Sequence, residues 1–155
     1  MVSNFSSIMS RLLNRNDSNP LNQDENKYCL MCSMDLNESD LYKKHKVCDT
    51  CGFHYTMGAK ERIESLADFQ SFREINKNLI SVDPISFTPS ALYKENFYKD
   101  QKRTGITEAV LTGTCSIDGI QCMIIVFDFG FMGGSIGCAA GQKITLAIEN
   151  ATKKK

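Results

Sequence analysis

Hydrophobic and polar residues follow different periods in successive parts of this chain. Residues 57–67 carry apolar side chains at helical spacing directly after Thr56, which predicts a short helix with that threonine as its N-cap. Residues 72–75 predict a short strand. Residues 90–103 combine aromatic side chains with alternating charges and predict an exposed helix that ends at Gly105.

The period then changes from helical to extended. The segments 109–117 and 120–129 are rich in β-branched and aromatic residues, and Asp118-Gly119 between them favours a two-residue type I′ turn. The second segment is apolar at nearly every position, which predicts a strand covered on both faces. After a glycine-rich loop, residues 137–152 predict a helix with one apolar face, formed by Ala140, Ile144, Ala147, Ile148 and Ala151.

Length and charge limit the class of protein. A chain of 155 residues has room for one ordinary domain, or for a small domain with part of another. Its 18 basic and 18 acidic residues give a formal net charge of zero, so no global field attracts nucleic acid or an anionic membrane. The longest apolar run, 122–127, is far shorter than the roughly 20 residues of a membrane-spanning helix. No membrane span is expected.

Residues 1–26 differ in composition from the rest of the chain. They are rich in Asn and Ser and lack the continuous apolar segment of a secretory signal. They predict a flexible leader, for which a mobile arm is favoured over an organelle-targeting peptide. A reducing compartment, with free thiolates rather than disulfides, is therefore expected. The sequence shows no internal repeat.

Four of the seven cysteines form the pattern C-x2-C-x15-C-x2-C: Cys29, Cys32, Cys48 and Cys51. Each C-x2-C turn supplies two thiolates from one knuckle, and two knuckles complete a tetrahedral site. The spacing favours one structural zinc ion per chain over four independently buried or redox-active thiols. Four thiolates leave no open coordination position, so no catalysis is expected there. His45 and His54 are interpreted as surface residues or as neighbours of the ligands.

A basic run lies between the two cysteine pairs. Lys43, Lys44 and Lys46 are interspersed with acidic residues, so a solvated surface is favoured over a phosphate-binding one, and nucleic-acid binding is unlikely on this pattern. A stand-alone zinc-ribbon adaptor that binds nucleic acid or protein remains the alternative function. The other cysteines, Cys115, Cys122 and Cys138, are interpreted as small buried hydrophobic residues.

The loop GFMGGSIG at 130–137 lies between an apolar strand and a helix. Glycines there would let a ligand approach backbone N–H groups at a helix N-terminus. The loop matches neither G-x-G-x-x-G nor the phosphate-binding P-loop, so a nucleotide fold is not supported, and a tight structural turn would explain the glycines equally well.

Several segments together closely resemble the carboxyltransferase beta subunit of multisubunit acetyl-CoA carboxylase, most nearly its plastid-encoded form. They are the four-cysteine ribbon, GFHYTMGAKERIESL, ISVDPISF, FYKDQKRTGITEAVLTG, the Asp-Gly-Ile hairpin and DFGFMGGSIGCAAGQKI. The resemblance covers roughly residues 27–151. It implies an α+β or α/β architecture, in which a zinc ribbon precedes the opening portion of a crotonase-like (ClpP/crotonase) domain.

The resemblance also implies a reaction and a set of partners. The reaction is transfer of a carboxyl group from carboxybiotin to acetyl-CoA, which gives malonyl-CoA for fatty-acid biosynthesis in the chloroplast stroma. The implied partners are a carboxyltransferase alpha subunit, a biotin carboxylase and a biotin carboxyl carrier protein, and only the carrier protein holds biotin. Such a site must stabilise oxyanions, which backbone N–H donors do well.

Only some of the family's functional positions are matched here. Gly133 and Gly134 match a family glycine-rich turn and are weak candidates for substrate binding. The family's Ser-Gly-Gly-Ala-Arg segment and its second glycine-rich turn lie beyond Lys155. Catalytic residues are therefore not assigned, and the chain by itself is expected to be inactive.

These observations predict four regions. Residues 1–26 form the leader, 27–55 the zinc ribbon, 56–104 linking helices and a loop, and 105–155 the start of the crotonase-like domain.

Overall fold

The computed structural model describes residues 27–82 and 91–154. The predicted leader and the loop prolines Pro84 and Pro89 lie outside the described residues. The chain divides into two compact units, one up to Met57 and one from Gly58 onward.

The first unit contains two short hairpins, each of which carries one cysteine pair. A backbone hydrogen bond closes the turn of each hairpin. Cys29 N donates to Met34 O at 2.7 Å, and Cys48 N donates to Phe53 O at 2.9 Å. Isolated β-bridges close the two hairpins, at Tyr28–Asp35 and Val47–His54. Each residue that makes these contacts in the first hairpin has its equivalent in the second hairpin 19 positions later. The two hairpins are therefore a structural repeat, although few of their residue types match.

Helix α1, Asp40–His45, connects the two hairpins. Ser39 caps its N-terminus, where the Ser39 hydroxyl accepts a hydrogen bond from Tyr42 N at 2.9 Å. Lys46 ends the helix with a left-handed backbone, at φ 55°. This helix was not predicted, because six residues of mixed charge are too few to show a helical repeat of hydrophobic positions.

A three-stranded antiparallel sheet forms the centre of the second unit. Its strands are β1, Arg73–Glu74; β2, Val110–Ile117; and β3, Ile120–Phe127, in the order β1-β2-β3. Asp118 and Gly119 connect β2 to β3 with φ of 50° and 79°, as a type I′ turn requires. The predicted strands and hairpin are confirmed.

Three α-helices and one 3-10 turn surround this sheet. They are α2, Ala59–Leu66; α3, Ala91–Thr104; the 3-10 turn Met132–Gly134; and α4, Cys138–Lys153. The predicted N-cap Thr56 is wrong, because Gly58 occupies that position. The predicted end of α3 is confirmed at Gly105, which has φ 65°. In the described part of the chain, no helix has the length and apolar character needed to cross a membrane.

The core lies between α2 and one face of the β2–β3 hairpin. It contains Ala59, Ile63, Ile106, Ala109, Leu111 and Phe131, with Ile124 and Val126 packed against them. The side chains of Val110 and Thr112 are buried on the opposite face, and α4 contacts both strands. The sheet is therefore covered on both faces at β2.

Strand β3 is less buried than its sequence predicted. Its residues are exposed or half-buried, and Ile120 is 73% exposed, whereas β2 is almost fully buried. Strand β2 is central and β3 lies at an edge, with no further partner strand among the described residues. The prediction from its apolar composition that β3 is covered on both faces is therefore wrong for the described residues.

The buried face of α4 also differs from the prediction. Ala140, Lys143 and Ala147 are buried, whereas Ile148 is 55% exposed and Ala151 is also exposed. The Lys143 ammonium donates to Val110 O at 3.4 Å and lies 3.9 Å from a Glu74 carboxylate oxygen. Burial lowers the pKa of Lys143, although the nearby carboxylates of Glu74 and Glu108 act in the opposite direction.

Gly113 permits a close approach between β2 and the segment that contains β1. A Cβ atom at this position would lie 2.3 Å from the Phe72 ring and 2.6 Å from the carbonyl oxygen of Arg73. Strand β1 therefore pairs with β2 only because this position has no side chain.

Candidate metal centre and glycine-rich turn

The two knuckles bring four cysteine sulfurs together. The Sγ atoms of Cys29, Cys32, Cys48 and Cys51 all lie within 4.8 Å of one another. Two of the separations, Cys29–Cys51 and Cys32–Cys48, are 3.6 Å. Tetrahedral zinc with bonds of about 2.3 Å requires sulfurs about 3.8 Å apart, so this arrangement fits a metal ion.

Backbone N–H groups point at these sulfurs from the turns of the knuckles. Cys29 Sγ accepts from the amides of Met31 and Cys32, and Cys32 Sγ accepts from that of Met34. In the second knuckle, Cys51 Sγ accepts from the amide of Phe53. Amide donors favour the charged thiolate, which is the form that binds metal.

The first and fourth cysteines have opposite pKa shifts. Burial acts to raise the pKa of Cys29, but hydrogen bonds from the Tyr55 hydroxyl and the turn amides lower it to about 6. The Phe53 amide acts to lower the pKa of Cys51, but burial and hydrogen bonds to the other thiols raise it to about 12. Four adjacent thiols cannot all ionise without a positive charge between them, and a divalent metal supplies that charge.

Tyr55 supports the metal centre from the second hairpin. Its hydroxyl accepts from Leu30 N at 2.9 Å and hydrogen-bonds to Cys29 Sγ, both in the first hairpin. Its ring makes edge contacts with Tyr42 at 5.2 Å and with Phe53 at 4.9 Å between centroids. These contacts hold the two knuckles in register around the sulfurs.

The remaining candidates on the ribbon lie outside this cluster. Among the described residues, the metal-ligating group consists of the four cysteines and includes neither His45 nor His54. The basic run falls at the end of α1, where Lys46 Nζ lies 5.4 Å from the Tyr42 ring centroid. Part of this run therefore contributes to packing within the ribbon.

The other three cysteines have different environments. Cys115 is buried, as predicted, and Cys122 is half-buried. Cys138 is exposed at the first position of α4, so its interpretation as a buried hydrophobic residue is wrong. The interpretation relied on the apolar segment that precedes Cys138 in the sequence. In the structure, Cys138 lies in the first turn of α4, where its side chain is exposed.

The glycine-rich turn connects β3 to α4 and requires its glycines. Gly133 and Gly134 have φ of 65° and 72°, values that side chains adopt at a cost. A Cβ at Gly133 would meet nothing within 4 Å, so the backbone there faces open space. Gly137 then serves as the N-cap of α4 without any side-chain cap bond. The N–H of Gly134 already donates to Phe131 O at 2.8 Å, so the open backbone that a ligand could approach is that of Gly133.

Three charged residues that belong to no motif in the sequence anchor this turn. Asp128 accepts from Gly130 N and from Ala59 N, each at 2.8 Å, and thereby ties the turn to the start of α2. From α3, Asp100 accepts from Met132 N at 2.9 Å, and the guanidinium of Arg103 donates to the carbonyl oxygen of Gly130. The turn is therefore held by side chains on both sides.

These three anchoring residues could not be identified from the sequence, because they form no recognisable motif. Asp100 and Arg103 stand in the KDQKRTG segment, and Asp128 directly follows β3. Apart from Gly130, which is two residues from Asp128, the partners named above are 27 to 69 residues away. No local period links such positions.

Comparison with known proteins identifies relatives along most of the chain. The carboxyl transferase domain family matches residues 58–155. A similar curated protein is the acetyl-coenzyme A carboxylase carboxyl transferase subunit beta of Prochlorococcus marinus (strain NATL1A), 41% identical over 82% of this chain. Another is the chloroplastic subunit of the same name from Cyanidium caldarium, 40% identical over 83% of this chain. The chain spans 43% and 48% of these two relatives, less than half of each.

Two solved structures also align over part of the chain. A transcarboxylase 12S structure with hydrolysed methylmalonyl-coenzyme A aligns over 61% of this chain and 16% of its own, with 25% identity and a TM-score of 0.48. A single-chain, multi-domain long-chain acyl-CoA carboxylase aligns over 74% of this chain and 10% of its own, with 17% identity and the same TM-score.

The family match and the α+β structure with its four-cysteine cluster confirm the predicted fold class. The match also covers the half of the chain that follows the ribbon. A stand-alone ribbon adaptor does not explain that half, so the comparison favours the main interpretation over the alternative.

Proposed function

This chain belongs to the carboxyl transferase domain family, and from that premise we propose that it is the front part of an acetyl-CoA carboxylase carboxyl transferase beta subunit. The observation that carries the proposal is the identity of about 40% to beta subunits over more than four-fifths of the chain. The proposed reaction moves a carboxyl group from carboxybiotin to acetyl-CoA and forms malonyl-CoA.

The proposed partners follow from that reaction. An alpha subunit completes the transferase, a biotin carboxylase charges the biotin, and a biotin carboxyl carrier protein brings it to the site. Biotin therefore belongs to the carrier and not to this chain. The chloroplastic relative from Cyanidium caldarium supports a location in the chloroplast stroma.

We assign substrate binding to Gly133 and Gly134 in the glycine-rich turn. Carboxyl transfer passes through an enolate of the acetyl thioester, whose oxygen needs hydrogen-bond donors that are already in place. The backbone at Gly133 faces open space, and Asp100, Arg103 and Asp128 fix the turn from behind. These anchors keep the turn from reorganising as charge develops on the substrate.

We further propose that the four cysteines bind one zinc ion. When bound, zinc neutralises the thiolates and links the two hairpins. Cys29, Cys32, Cys48 and Cys51 fill all four positions of a tetrahedral site, so its role is structural. The ribbon core contains few residues besides the cysteines, and metal binding of about 10 to 16 kcal/mol suffices to fold a segment of this size.

The function is tested by reconstitution. The 155-residue chain is mixed with an alpha subunit, carboxylated carrier protein, acetyl-CoA and a separate polypeptide that supplies the remaining part of the Cyanidium caldarium beta subunit. Malonyl-CoA is expected with the full mixture and not when this chain is omitted. Equal malonyl-CoA formation with and without the chain would contradict the proposal.

A matched pair of glycine variants tests the turn in the same assay. Gly133→Ala should lower the rate about 100-fold or more, the usual effect of disturbing an oxyanion donor. Gly119→Ala is the control, because Gly119 also has a positive φ and open space around it but lies in the hairpin turn. Equal losses in both variants would show that backbone strain, and not the site, causes the effect.

Elemental analysis of purified protein tests the metal. We expect one zinc per chain in the wild type and in Cys138→Ser, which changes an exposed thiol outside the cluster. Serine in place of any one of the four cluster cysteines should release the metal. Zinc retained in all of these variants would overturn the assignment.

Submicromolar, salt-sensitive binding of nucleic acid by the ribbon would revive the adaptor alternative.

A further inference from the structure

Two cysteines outside the metal centre lie opposite each other across the hairpin. Cys115 on β2 pairs with Cys122 on β3 in the antiparallel register, two positions from the strand ends at the Asp118-Gly119 turn. Their Sγ atoms are 3.4 Å apart, close to van der Waals contact. Neither residue has a part in the proposed metal or substrate site.

The backbone at this pair already suits a covalent link. Directly opposed residues in an antiparallel sheet have Cα atoms about 4.5 to 5.5 Å apart, and disulfides form across Cα separations of about 4.4 to 6.8 Å. The two sulfurs need to approach by little more than 1 Å to reach the bond length of about 2.0 Å. Side-chain rotation within the hairpin can supply most of that movement.

The two thiols differ in access to solvent. Cys115 is 1% exposed, whereas Cys122 is half-buried on the edge strand. Burial, together with the neighbouring Cys122 thiol, raises the pKa of Cys115 to about 11. Cys122 is therefore the thiol that meets an external reagent, and Cys115 is held beside it as a second thiol.

We propose that Cys115 and Cys122 form a reversible disulfide by exchange with a small disulfide oxidant such as glutathione disulfide. This site is independent of the proposed carboxyl transferase function. It makes the hairpin a redox-sensitive element, because oxidation joins β2 to β3 close to their turn.

The exchange takes place in two steps. The Cys122 thiolate attacks one sulfur of the oxidant, forms a mixed disulfide and releases one small thiol. Cys115 then loses its proton and attacks the Cys122 sulfur, which forms the Cys115–Cys122 bond and releases the second small thiol. Two protein thiols are oxidised and one disulfide is reduced to two thiols, so atoms and electrons balance.

Cys138 provides the internal comparison. It is also a free thiol and is exposed, and none of the thiol–thiol contacts in the described part of the chain involves it. Reaction with glutathione disulfide should therefore stop at the mixed disulfide on Cys138. At Cys122 the same adduct should be removed by Cys115.

The test incubates the zinc-loaded 155-residue chain with glutathione disulfide, quenches with acid and maps the peptides by mass spectrometry. We expect a peptide that links Cys115 to Cys122, with a mass about 2 Da below the two reduced thiols. In Cys115→Ser, the glutathione adduct on Cys122 should accumulate at least about tenfold above wild type, because the adjacent resolving thiol is lost. Cys138→Ser should retain the link at the wild-type level.

Two results would overturn the proposal. One is the absence of the Cys115–Cys122 link at an oxidant concentration that fully modifies Cys138 in the same wild-type sample. The other is equal accumulation of the Cys122 adduct in wild type and in Cys115→Ser. The first comparison needs no variant, so it decides the question even where a substitution impairs folding.

Discussion

At the scale of single residues, Tyr55 connects the two cysteine knuckles. Its hydroxyl reaches both Leu30 N and Cys29 Sγ in the opposite hairpin. Groups that orient metal ligands typically contribute 10- to 100-fold to affinity. Tyr55→Phe should therefore weaken zinc binding by about 10- to 100-fold, measured by competition with a chelating dye.

Tyr28→Phe is the matched control for that substitution. Tyr28 lies on the same ribbon but is 60% exposed, so loss of its hydroxyl should leave the affinity unchanged. A Tyr55→Phe protein with wild-type zinc affinity would show that the aromatic packing alone holds the knuckles together.

At the scale of elements, Asp128 joins the end of β3 to the start of α2. The residue is 6% exposed, and its two carboxylate oxygens accept from Ala59 N and Gly130 N. Asp128→Ala leaves the buried Ala59 N–H and the partly buried Gly130 N–H without this partner and should cost about 2 kcal/mol of unfolding free energy. Urea denaturation measures this loss.

Glu95→Ala is the control for Asp128→Ala. Glu95 forms an exposed pair with Lys99 within α3 at 3.8 Å, a kind of contact that contributes about 0.5 kcal/mol or less. If both variants lost the same stability, the hydrogen bonds of Asp128 would stabilise the fold no more than an exposed ion pair does.

The hairpin turn should also respond to acid. Hydrogen bonds from Ser116 and from the amides of Gly119 and Asp118 lower the pKa of Asp68. A lowered pKa stabilises the fold above the unfolded value of about 3.9, and the stabilisation disappears as pH falls toward the folded pKa. Asp68→Asn should therefore reduce the acid dependence of stability below about pH 5.

Thermal melts of the wild type and of Asp68→Asn at pH values from about 3 to about 7 provide the measurement, because this range includes the pH at which carboxylates titrate. Glu64→Gln is the control, since Glu64 is an exposed carboxylate on α2. An acid dependence that is unchanged in Asp68→Asn would mean that the carboxylate does not hold the turn.

The elements also show which features a sequence can specify. The cysteine knuckles and the Asp118-Gly119 turn were predicted because each is specified by a short stretch of sequence with a recognisable pattern. Three features were missed: the burial of Lys143, the cap that Asp128 gives to α2, and the edge position of β3. Each depends on which segments meet in three dimensions, and Asp128 and Ala59 are 69 residues apart. The predicted region boundaries at 55/56 and 104/105 stay predictions.

At the scale of the whole molecule, the described residues of each unit form a core of their own. The ribbon core is built on Cys29, Leu36 and Cys48, and it shares no residue with the core of the second unit. Removing the metal with a chelator should therefore abolish amide protection in residues 27–57 and leave strands β2 and β3 protected. Hydrogen exchange measures both regions in one sample.

Loss of protection in β2 and β3 upon chelation would contradict that expectation. It would mean that the second unit needs the ribbon for its stability. Re-addition of zinc provides the control, because protection of the ribbon amides should return with the metal.

The absence of a side chain at Gly113 also has a genetic consequence. A single nucleotide change that replaces a glycine always introduces at least a Cβ atom, and at Gly113 that atom would overlap the Phe72 ring and the Arg73 carbonyl. Selection should therefore remove every missense allele at this codon, alanine included. In a saturation mutagenesis library, codon 113 should be depleted of all substitutions, whereas codon 120, which encodes the 73% exposed Ile120 at the start of β3, should tolerate many. A relative in which this glycine has changed should also differ in the path of the backbone at residues 72 and 73, because a smaller residue 72 alone would leave the overlap with the Arg73 carbonyl.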